Sequence, residues 1–318
     1  MKKTESLEIR DAIIGTLLEL ARADKNIILI SNDFGSPSLD FFRKELPDQF
    51  INAGISEQNI ISVSAGLSLR KKRVYIYSIA SFITLRCLEQ IKIDLCLMAL
   101  PVTIIGVGVG YGYGHDGPTH HSTEDISILS VLPNITLLSP SDAILASELI
   151  RKNQDIQSPV FIRTERGKLP VLSSLNNVKI YPQFRILKHG KDVCIIATGF
   201  MVHRALEICD QLQTFSIKAT VIDIFQITPL NVLDLKNIIS NYTYIVTLEE
   251  HVLRGGLGSI ITEIIIDNEL DIKVMRMGLH DNEVFAYGDR EDLHCKMSLD
   301  TSFLTNRIFN WMTKGFKG

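Results

Sequence analysis

The sequence predicts an α/β protein of two domains, each a mostly parallel sheet flanked by helices. Short apolar runs alternate with longer amphipathic segments along the chain, which is the pattern of repeated strand–helix–strand units. A proline- and asparagine-containing stretch at 170–183 interrupts this alternation. The chain has 318 residues, 46% of them hydrophobic, enough for two separate cores. We therefore predict a first domain at 1–175, a linker at 176–190 and a second domain at 191–318.

The apolar runs and their flanking residues place the individual elements. The predicted strands of the first domain are Ile27–Ser31, Val74–Tyr77, Val102–Gly106, Ile135–Leu138 and Val160–Arg163. Its predicted helices are Leu7–Ala23, Glu57–Leu69, Leu85–Ala99 and Asp142–Lys152, the last with a Ser-Pro-Ser-Asp cap. In the second domain the predicted strands are Val193–Thr198, Ala219–Asp223, Tyr244–Glu249 and Ile272–Met277, and the predicted helices are Val202–Leu212, Asn231–Ser240 and Gly258–Asn268.

Charge and cysteine usage exclude several classes of protein. The formal net charge is −3 and the lysines and arginines are scattered, which argues against binding to nucleic acid. The five cysteines form no CxxC pair, so we expect reduced, buried thiols. No apolar run is long enough to span a membrane, and none follows the basic amino terminus. We expect a cytoplasmic protein that acts on small molecules or on another protein.

One carboxylate stands out in the run Asn52-Ala53-Gly54-Ile55-Ser56-Glu57-Gln58-Asn59. Glu57 opens a helix whose apolar positions predict that it is buried; they are Ile60, Ile61, Val63, Ala65, Leu67 and Leu69. Such a carboxylate is either functional or simply favoured by the positive end of the helix dipole, and both readings stay open.

Ligands of open α/β sheets bind beyond the carboxyl ends of the strands, so the segments there are the candidates for a site. Phe82 follows the second strand, where its ring either stacks on a flat ligand or packs under the next helix. Two arginines, Arg163 and Arg166, follow the fifth strand and suggest recognition of an anion.

A glycine-rich segment, 106–121, follows the third strand and ends in a cluster of titratable side chains. Gly112-x-Gly114-x-x-Gly117 has the spacing of a dinucleotide fingerprint, but that motif must open a helix and a loop follows here. The possible zinc ligands in and just after this segment fit no familiar spacing; they are His115, His120, His121 and Glu124. We favour proton transfer and hydroxyl binding by the histidines and Asp116.

In the second domain Glu249-Glu250-His251 ends a strand and Arg254-Gly255-Gly256-Leu257-Gly258-Ser259 precedes a helix. That loop either binds an anion at the helix amino terminus or forms a tight turn, and we favour the turn.

Several ordered motifs together resemble the carboxyl-terminal half of transketolase. They are Gly54-Ile55-Ser56-Glu57-Gln58-Asn59, Phe82 before Arg86-Cys87-Leu88-Glu89-Gln90, Asp116-Gly117-Pro118-Thr119-His120, Pro140-Ser141-Asp142 and Phe161-Ile162-Arg163-Thr164. Ile224-Phe225-Gln226-Ile227-Thr228-Pro229-Leu230 and Glu249-Glu250-His251 extend the resemblance over nearly the whole chain. Deoxyxylulose phosphate synthase and the beta subunits of 2-oxo acid dehydrogenases are similar but more distant.

The resemblance implies a thiamin diphosphate enzyme whose pyrimidine-binding and carboxyl-terminal domains this chain supplies. The family's Gly-Asp-Gly motif does not occur here, so a partner subunit with the diphosphate-binding domain is expected to hold the diphosphate and Mg²⁺, and no metal ligand is assigned to this chain. Glu57 would bond N1′ of the aminopyrimidine and favour its imino tautomer. Phe82, or Ile83 given a one-residue uncertainty in alignment, would pack on the ring, and Asp33 would lie near the cofactor. The expected assembly is a dimer of heterodimers.

On the substrate side the resemblance implies that Asp116 reads a ketose hydroxyl and that His120 contacts the sugar and, with Glu57, takes part in catalysis. Arg166 would grip a sugar phosphate, with Arg163 beside it, and we add His115 to the substrate-binding set. The family has a phosphate-contacting histidine eight residues before this aspartate, where the present chain has Gly108. Phosphorylated and unphosphorylated sugars therefore both stay open.

The implied activity is transfer of a two-carbon ketol group from a ketose to an aldose. A beta-type subunit of a 2-oxo acid decarboxylating or deoxyxylulose phosphate synthase-like enzyme is the first alternative, and consumption of pyruvate would favour it. A non-catalytic binding or regulatory paralogue is the alternative of another class. Retention of Glu57, Asp116 and His120 together argues against that reading.

Overall fold

The computed structural model describes residues 6–33, 35–172, 180–280 and 286–314. These residues form a seven-stranded sheet, a five-stranded sheet and a two-stranded ribbon, with helices on the sheet faces. The predicted fold class is confirmed. The predicted linker lies partly outside the described residues, and its later part contains a strand.

The elements have the following bounds. The strands are β1 (Ser6–Glu8), β2 (Ile27–Ser31), β3 (Phe50–Asn52), β4 (Arg73–Ile79), β5 (Val102–Val107), β6 (Thr136–Leu138), β7 (Val160–Thr164), β8 (Lys168–Pro170), β9 (Phe184–Lys188), β10 (Val193–Ala197), β11 (Ala219–Ile224), β12 (Gln226–Thr228), β13 (Tyr244–Val252) and β14 (Lys273–Leu279). The α-helices are α1 (Ile9–Ala23), α2 (Pro37–Glu45), α3 (Glu57–Leu69), α4 (Ala80–Leu85), α5 (Leu88–Gln90), α6 (Asp125–Leu129), α7 (Ala143–Asn153), α8 (Met201–Thr214), α9 (Val232–Ile239), α10 (Leu257–Asp267), α11 (Arg290–Lys296) and α12 (Thr301–Lys314). A π-helical segment, Ile91–Cys96, continues α5, and short 3₁₀ turns occur at Pro47–Gln49 and Gly114–Asp116.

The large sheet has the order β12-β6-β7-β5-β4-β2-β3. All its neighbours are parallel except β12, which runs antiparallel to β6. Its central strands are buried apolar runs, as expected for a parallel sheet covered by helices on both faces. The carboxyl ends of β3, β4, β5 and β7 consequently open on the same edge of the sheet.

The smaller sheet has the order β14-β13-β10-β11-β9 and is parallel apart from its edge strand β9. One strand crosses between the two halves of the chain, because Gln226 of β12 pairs with Leu138 of the large sheet. The apolar core is also shared, since one cluster runs from Ile30 and Ile76 to Ile196 and Ile222. The two halves are thus joined by backbone pairing and by packing.

Several element predictions differ from the structure. The first helix begins at Ile9, because Ser6–Glu8 pair with Lys168–Pro170 as a ribbon. The single helix predicted over Leu85–Ala99 is instead α4, α5 and the π-helical segment, and α4 starts directly where β4 ends. Prediction also missed α2, although Ser36 caps it and Pro37 is its first residue, a standard start signal.

Burial differs from expectation at a few positions. Val63 and Leu69 of α3 are 40% and 59% exposed, so this helix keeps an apolar edge in contact with solvent. Four of the five cysteines are buried free thiols as predicted, whereas Cys295 is exposed. Among the described residues, no helix combines the length and apolarity required to cross a bilayer.

Candidate active site

The site is built at the edge of the large sheet where β3, β4, β5 and β7 end. Each strand is followed by a segment that carries one or two of the predicted site residues, and the parallel topology brings these segments to one side of the sheet. These residues are Glu57 after β3, Phe82 after β4, Asp116 and His120 after β5, and Arg166 after β7. Together with Arg86 and Tyr113, their side chains form one continuous row of contacts.

Glu57 is the first residue of α3 and its side chain is only 6% exposed. Gly54 turns the chain into this helix with a φ of 67°, a conformation that favours glycine. The carboxylate accepts a hydrogen bond from Arg86, with 3.2 Å between Nη1 and Oε2. Glu57 is therefore both at the positive end of a helix and paired with a cation.

Phe82 lies in α4 and is half-buried, with one face covered by the Arg86 guanidinium at 4.3 Å from the ring centroid. Ile83, its alternative as the ring-packing residue, is fully buried in the apolar core. Of the two, Phe82 is the residue that reaches the site, and we keep it rather than Ile83.

His120 joins the two sides of the row. Its ring lies 4.9 Å from that of Phe82 and 5.9 Å from that of Tyr113, both in tilted arrangements. Its Nδ1 is 3.0 Å from the hydroxyl of Thr119, so this nitrogen is oriented by a neighbour. A histidine held between two rings with a fixed hydrogen bond is suited to moving a proton in a defined direction.

The row ends in a charged pair. Arg166 lies over the Tyr113 ring at 4.4 Å and its Nη1 is 3.7 Å from Asp116 Oδ2. Both charged side chains are about half exposed, at 49% and 48%, so they are available to a polar ligand. His115, next to Asp116 in a 3₁₀ turn, is exposed as well.

Gly108 explains the position of Tyr113. It has a φ of 81°, and a Cβ there would lie 2.0 Å from Cε2 of the tyrosine ring. The ring thus fills the space in which a side chain at 108 would stand. Burial raises the pKa of Tyr113 to about 12, so its phenol is neutral at physiological pH.

Two predicted residues stand apart from this row. Arg163 is only 4% exposed, and its guanidinium donates to Asp125 at 2.7 Å and to Ser139 at 3.0 Å. Those partners explain why it cannot face a substrate, and we remove it from the predicted substrate contacts. Asp33 is exposed and bonded to Asn52, whose amide oxygen also accepts from Gly54 N, so it lies at the turn that leads to Glu57.

Arg86 and Tyr113 were not predicted as site residues, although each carries a local signal. Arg86 follows Phe82 by four residues, a spacing that brings side chains together on a helical turn. Tyr113 is an aromatic residue between two glycines in the ligand-side loop. The dinucleotide fingerprint is confirmed as spurious, because turns follow Gly117 and the next helix begins only at Asp125.

A second polar cluster joins the two halves and was also missed. Arg290 at the start of α11 donates to Glu165 at 2.6 Å and to Glu250 at 2.9 Å. Glu250 also pairs with the buried His294. Burial acts to raise the pKa of Glu250, but Arg290 and His294 outweigh it and hold that pKa below its ordinary value.

The glycine-rich loop before α10 forms a tight turn, which is the alternative that we favoured over anion binding. The Glu249 carboxyl group accepts hydrogen bonds from Leu257 N at 2.7 Å and Gly258 N at 2.8 Å, and so occupies the amino terminus of the helix. Burial raises the pKa of Glu249 to about 8 despite these two bonds. Burial also lowers the pKa of the neighbouring His251, whose Nε2 accepts from Ile126 N at 3.2 Å.

The side chains of the row fit an aminopyrimidine better than a metal ion. A buried carboxylate and an accessible aromatic ring offer one hydrogen-bonding and one stacking contact, which suit a planar nitrogen heterocycle. In the described part of the chain, His, Cys, Asp and Glu side chains nowhere gather in the groups of three or more that would ligate a metal.

Comparison with protein families supports this interpretation. Residues 5–171 match the family model "Transketolase, pyrimidine binding domain" and residues 183–297 match "Transketolase, C-terminal domain". Together they span most of the chain.

Some relatives are about as long as this chain, and others are about twice as long. The chain is 36% identical over 301 residues to an apulose-4-phosphate transketolase subunit from Phocaeicola vulgatus, covering 92% of this chain and 96% of that protein. It is 32% identical over 309 residues to 1-deoxy-D-xylulose-5-phosphate synthase of Chlamydia caviae, but spans only 47% of that protein. Among solved structures it is similar to "Split gene transketolase, inactive beta4 tetramer", with a TM-score of 0.87, 31% identity, and coverage of 96% of this chain and 99% of that one.

Proposed function

The chain belongs to the transketolase family, and on that basis we propose that it is one subunit of a split transketolase that moves a two-carbon ketol group from a ketose to an aldose. The supporting relatives are subunit-sized proteins that it matches over almost their whole length. The activity is that of a transferase which requires a partner subunit.

One observation carries the proposal: a continuous row of contacts links the buried Glu57 carboxylate to the exposed Asp116. The row passes through Arg86, the Phe82 ring, His120 and Tyr113 before it reaches Arg166 and Asp116. The row thus connects the carboxylate that we assign to the heterocycle with the side chains that we assign to the sugar.

At the inner end of the row, Glu57 would hold the aminopyrimidine at N1′ and Phe82 would pack on its ring. When bound, thiamin diphosphate supplies the electron sink needed to break a carbon–carbon bond next to a carbonyl. The carboxylate is rigid and shielded from water, which strengthens its hydrogen bond to the heterocycle. Asp33 lies close to this end and we propose it as a minor cofactor contact.

At the outer end, the residues suit a polyol. Asp116 would accept hydrogen bonds from sugar hydroxyls, and His120 would take the proton from the hydroxyl next to the bond that breaks. Arg166 would hold an anionic group of the substrate, with His115 at the margin. At position 108, where the family has a phosphate-contacting histidine, this chain has glycine and the Tyr113 ring fills the space beside it. We therefore assign Arg166 as the cation that binds a sugar phosphate. The relative from Phocaeicola vulgatus is named for a sugar phosphate, and such a compound is the first donor to test.

The rest of the assembly is proposed from the likeness to subunit-sized transketolase relatives. We propose a partner subunit with the diphosphate-binding domain, which holds the diphosphate and Mg²⁺, in a cytoplasmic dimer of heterodimers. The apolar edge of α3 supports a protein interface near Glu57, since Val63 and Leu69 are exposed there.

The test is reconstitution. This chain is expressed with the protein encoded immediately upstream, supplied with thiamin diphosphate and Mg²⁺, and offered phosphorylated and unphosphorylated ketoses with aldose acceptors. We expect the two chains to copurify, and we expect mass spectrometry to detect products lengthened by two carbons. Failure of the chains to associate or to bind the cofactor would overturn the split-enzyme proposal. Consumption of pyruvate in place of any ketose would favour the 2-oxo acid alternative.

A further inference from the structure

The second half of the chain packs directly on the glycine-rich loop, residues 108–121. A Cβ on Gly110 would lie 1.8 Å from Oε2 of Glu250, and a Cβ on Gly117 would lie 2.1 Å from Cε1 of Tyr287. Both glycines have positive φ, so the loop is shaped to receive side chains from the other half of the chain.

An ion cluster reinforces this contact. Nη2 of Arg290 lies 2.6 Å from Oε2 of Glu165, 2.9 Å from Oε2 of Glu250 and 3.2 Å from the carbonyl oxygen of Val109. The same Glu250 oxygen accepts the backbone N–H of Tyr111 at 2.9 Å. One arginine and one glutamate thus bind two backbone positions at the start of the loop.

The cluster is well shielded from water. The side chains of Glu165, Glu250 and Arg290 are 4%, 6% and 13% exposed. Charges buried to this extent are held in place by their partners, and the loss of one partner leaves another unpaired. The loop conformation therefore depends on the cluster being complete.

The segments that Arg290 and Glu250 bind are the same segments that carry the proposed sugar-binding groups. Glu165 directly precedes Arg166, and Tyr111 lies two residues before Tyr113, over which Arg166 stacks at 4.4 Å. Asp116 follows within the same loop and meets Arg166 at 3.7 Å.

We infer that Glu250 and Arg290 are positioning residues for sugar binding: they fix the loop so that Asp116, His120 and Arg166 face the substrate, and the second domain thereby sets the affinity for the ketose. This inference rests on the proposed function, since it takes these three residues as the sugar contacts. Because a displacement on the order of 1 Å can cost about a hundredfold in rate, a modest shift of the loop is enough to be measured.

The test uses the assembled, cofactor-loaded enzyme with Glu250→Gln, Arg290→Gln and the conservative Arg290→Lys. We expect Glu250→Gln and Arg290→Gln to raise KM for the ketose at least about tenfold, with a smaller loss in kcat, and to leave the Kd for thiamin diphosphate within about twofold. Arg290→Lys should raise KM less than Arg290→Gln does, because the lysine charge can still reach one carboxylate. As a readout apart from activity, hydrogen exchange should speed up in peptides from 108–121.

Arg185→Gln is the matched control. Arg185 is also largely buried and also bridges two carboxylates, Asp142 at 3.0 Å and Asp223 at 2.8 Å, and both of these carboxylates lie outside the loop. We expect this variant to lose stability without a change in KM. If the Arg290 variants behave in the same way and the loop exchanges as in the parent, the cluster is only scaffold and the inference is wrong.

A further variant separates this inference from the proposed function. If the parental assembly turns over no ketose, the proposed function fails. If it does, but Asp116→Asn leaves KM for every ketose unchanged, the assigned sugar site is wrong and this inference fails with it. If Asp116→Asn raises KM while Glu250→Gln and Arg290→Gln do not, only the positioning role is refuted.

Discussion

The Arg86 guanidinium contacts Glu57 and Phe82 at once, with Nη1 3.2 Å from the carboxylate and Cζ 4.3 Å from the ring centroid. The cation thereby fixes the relative position of the two groups that we assign to the aminopyrimidine. Arg86 is 45% exposed whereas Glu57 is 6% exposed, so the pair lies at the boundary between the protein interior and solvent.

The first prediction concerns Glu57→Gln. The amide keeps the shape of the side chain but cannot accept a proton as a carboxylate does, so kcat of the assembled enzyme should fall at least about a hundredfold. Stability should change by less than about 1 kcal/mol, because the half-exposed Arg86 can be solvated once its partner is neutral. Steady-state kinetics and urea unfolding measure the two effects. Glu89→Gln, at an exposed position nearby, is the control, and near-parental turnover of the Glu57 variant would remove Glu57 from the mechanism.

Substitution of Arg163, within β7, and of Arg166, just after it, should have different effects. Arg166→Gln should raise KM for a phosphorylated ketose about tenfold or more with little change in stability, since its contact with Asp116 is half-exposed. Arg163→Gln should instead destabilise the fold by about 3–5 kcal/mol, because Asp125 would remain buried and unpaired. Denaturant unfolding and substrate kinetics on both variants decide this. Equal stability losses with equal KM values would show that the division between scaffold and site is wrong.

The residues that sequence could identify are those whose position follows from topology. Glu57, Phe82, Asp116 and His120 each lie in a segment that follows a parallel strand, and such segments meet at one edge of the sheet. Their types and order could therefore be predicted before any geometry was known. Their roles in catalysis remain a proposal.

What sequence could not give are contacts that depend on how distant segments pack. Arg290 and Glu250 are forty residues apart, and each meets Glu165 or the loop only because the two halves share a core. Arg163 and Arg166 are indistinguishable by residue type. Arg163 lies within the buried strand β7 and pairs with Asp125, which sits on a separate helix, whereas Arg166 comes after the strand has ended. Strand β12 likewise joins the sheet of the other half without a local signal.

Gly108→Ala should destabilise the protein by about 1–3 kcal/mol. The new Cβ would collide with the Tyr113 ring, and the positive φ adds backbone strain. Gly66→Ala provides the contrast, because this exposed position in α3 has open space around it and alanine is the better helix former; we expect a gain of about 0.5–1 kcal/mol. Urea unfolding of both variants measures the difference, and a neutral Gly108→Ala would contradict the assigned position of Tyr113.

The last prediction concerns pH and Glu249. Its pKa is about 8 in the folded protein because of burial, against an ordinary value of 4.5. Below about pH 4.5 both the folded and the unfolded chain carry this proton, and the contribution to stability is complete. Between those values the folded chain keeps the proton that the unfolded chain releases, so stability falls as pH rises, by up to about 1.4 kcal/mol per pH unit.

Glu249→Gln removes this dependence, because the amide carries no titrating proton. Its single oxygen can accept from only one of Leu257 N and Gly258 N, which bond to different oxygens of the parental carboxyl group, and the loss of one bond shifts the stability of the variant equally at every pH. The measurement is the free energy of unfolding of variant and parent at a series of pH values from 5 to 8, and we expect the difference between them to grow in favour of the variant as pH rises. Glu263→Gln, an exposed glutamate on the same helix, should leave the parental slope unchanged. Parallel curves for parent and Glu249→Gln would mean that the carboxyl group is already ionised in the folded protein. In that case the two backbone N–H groups at the start of α10 outweigh burial, and the helix terminus binds an anion of its own chain.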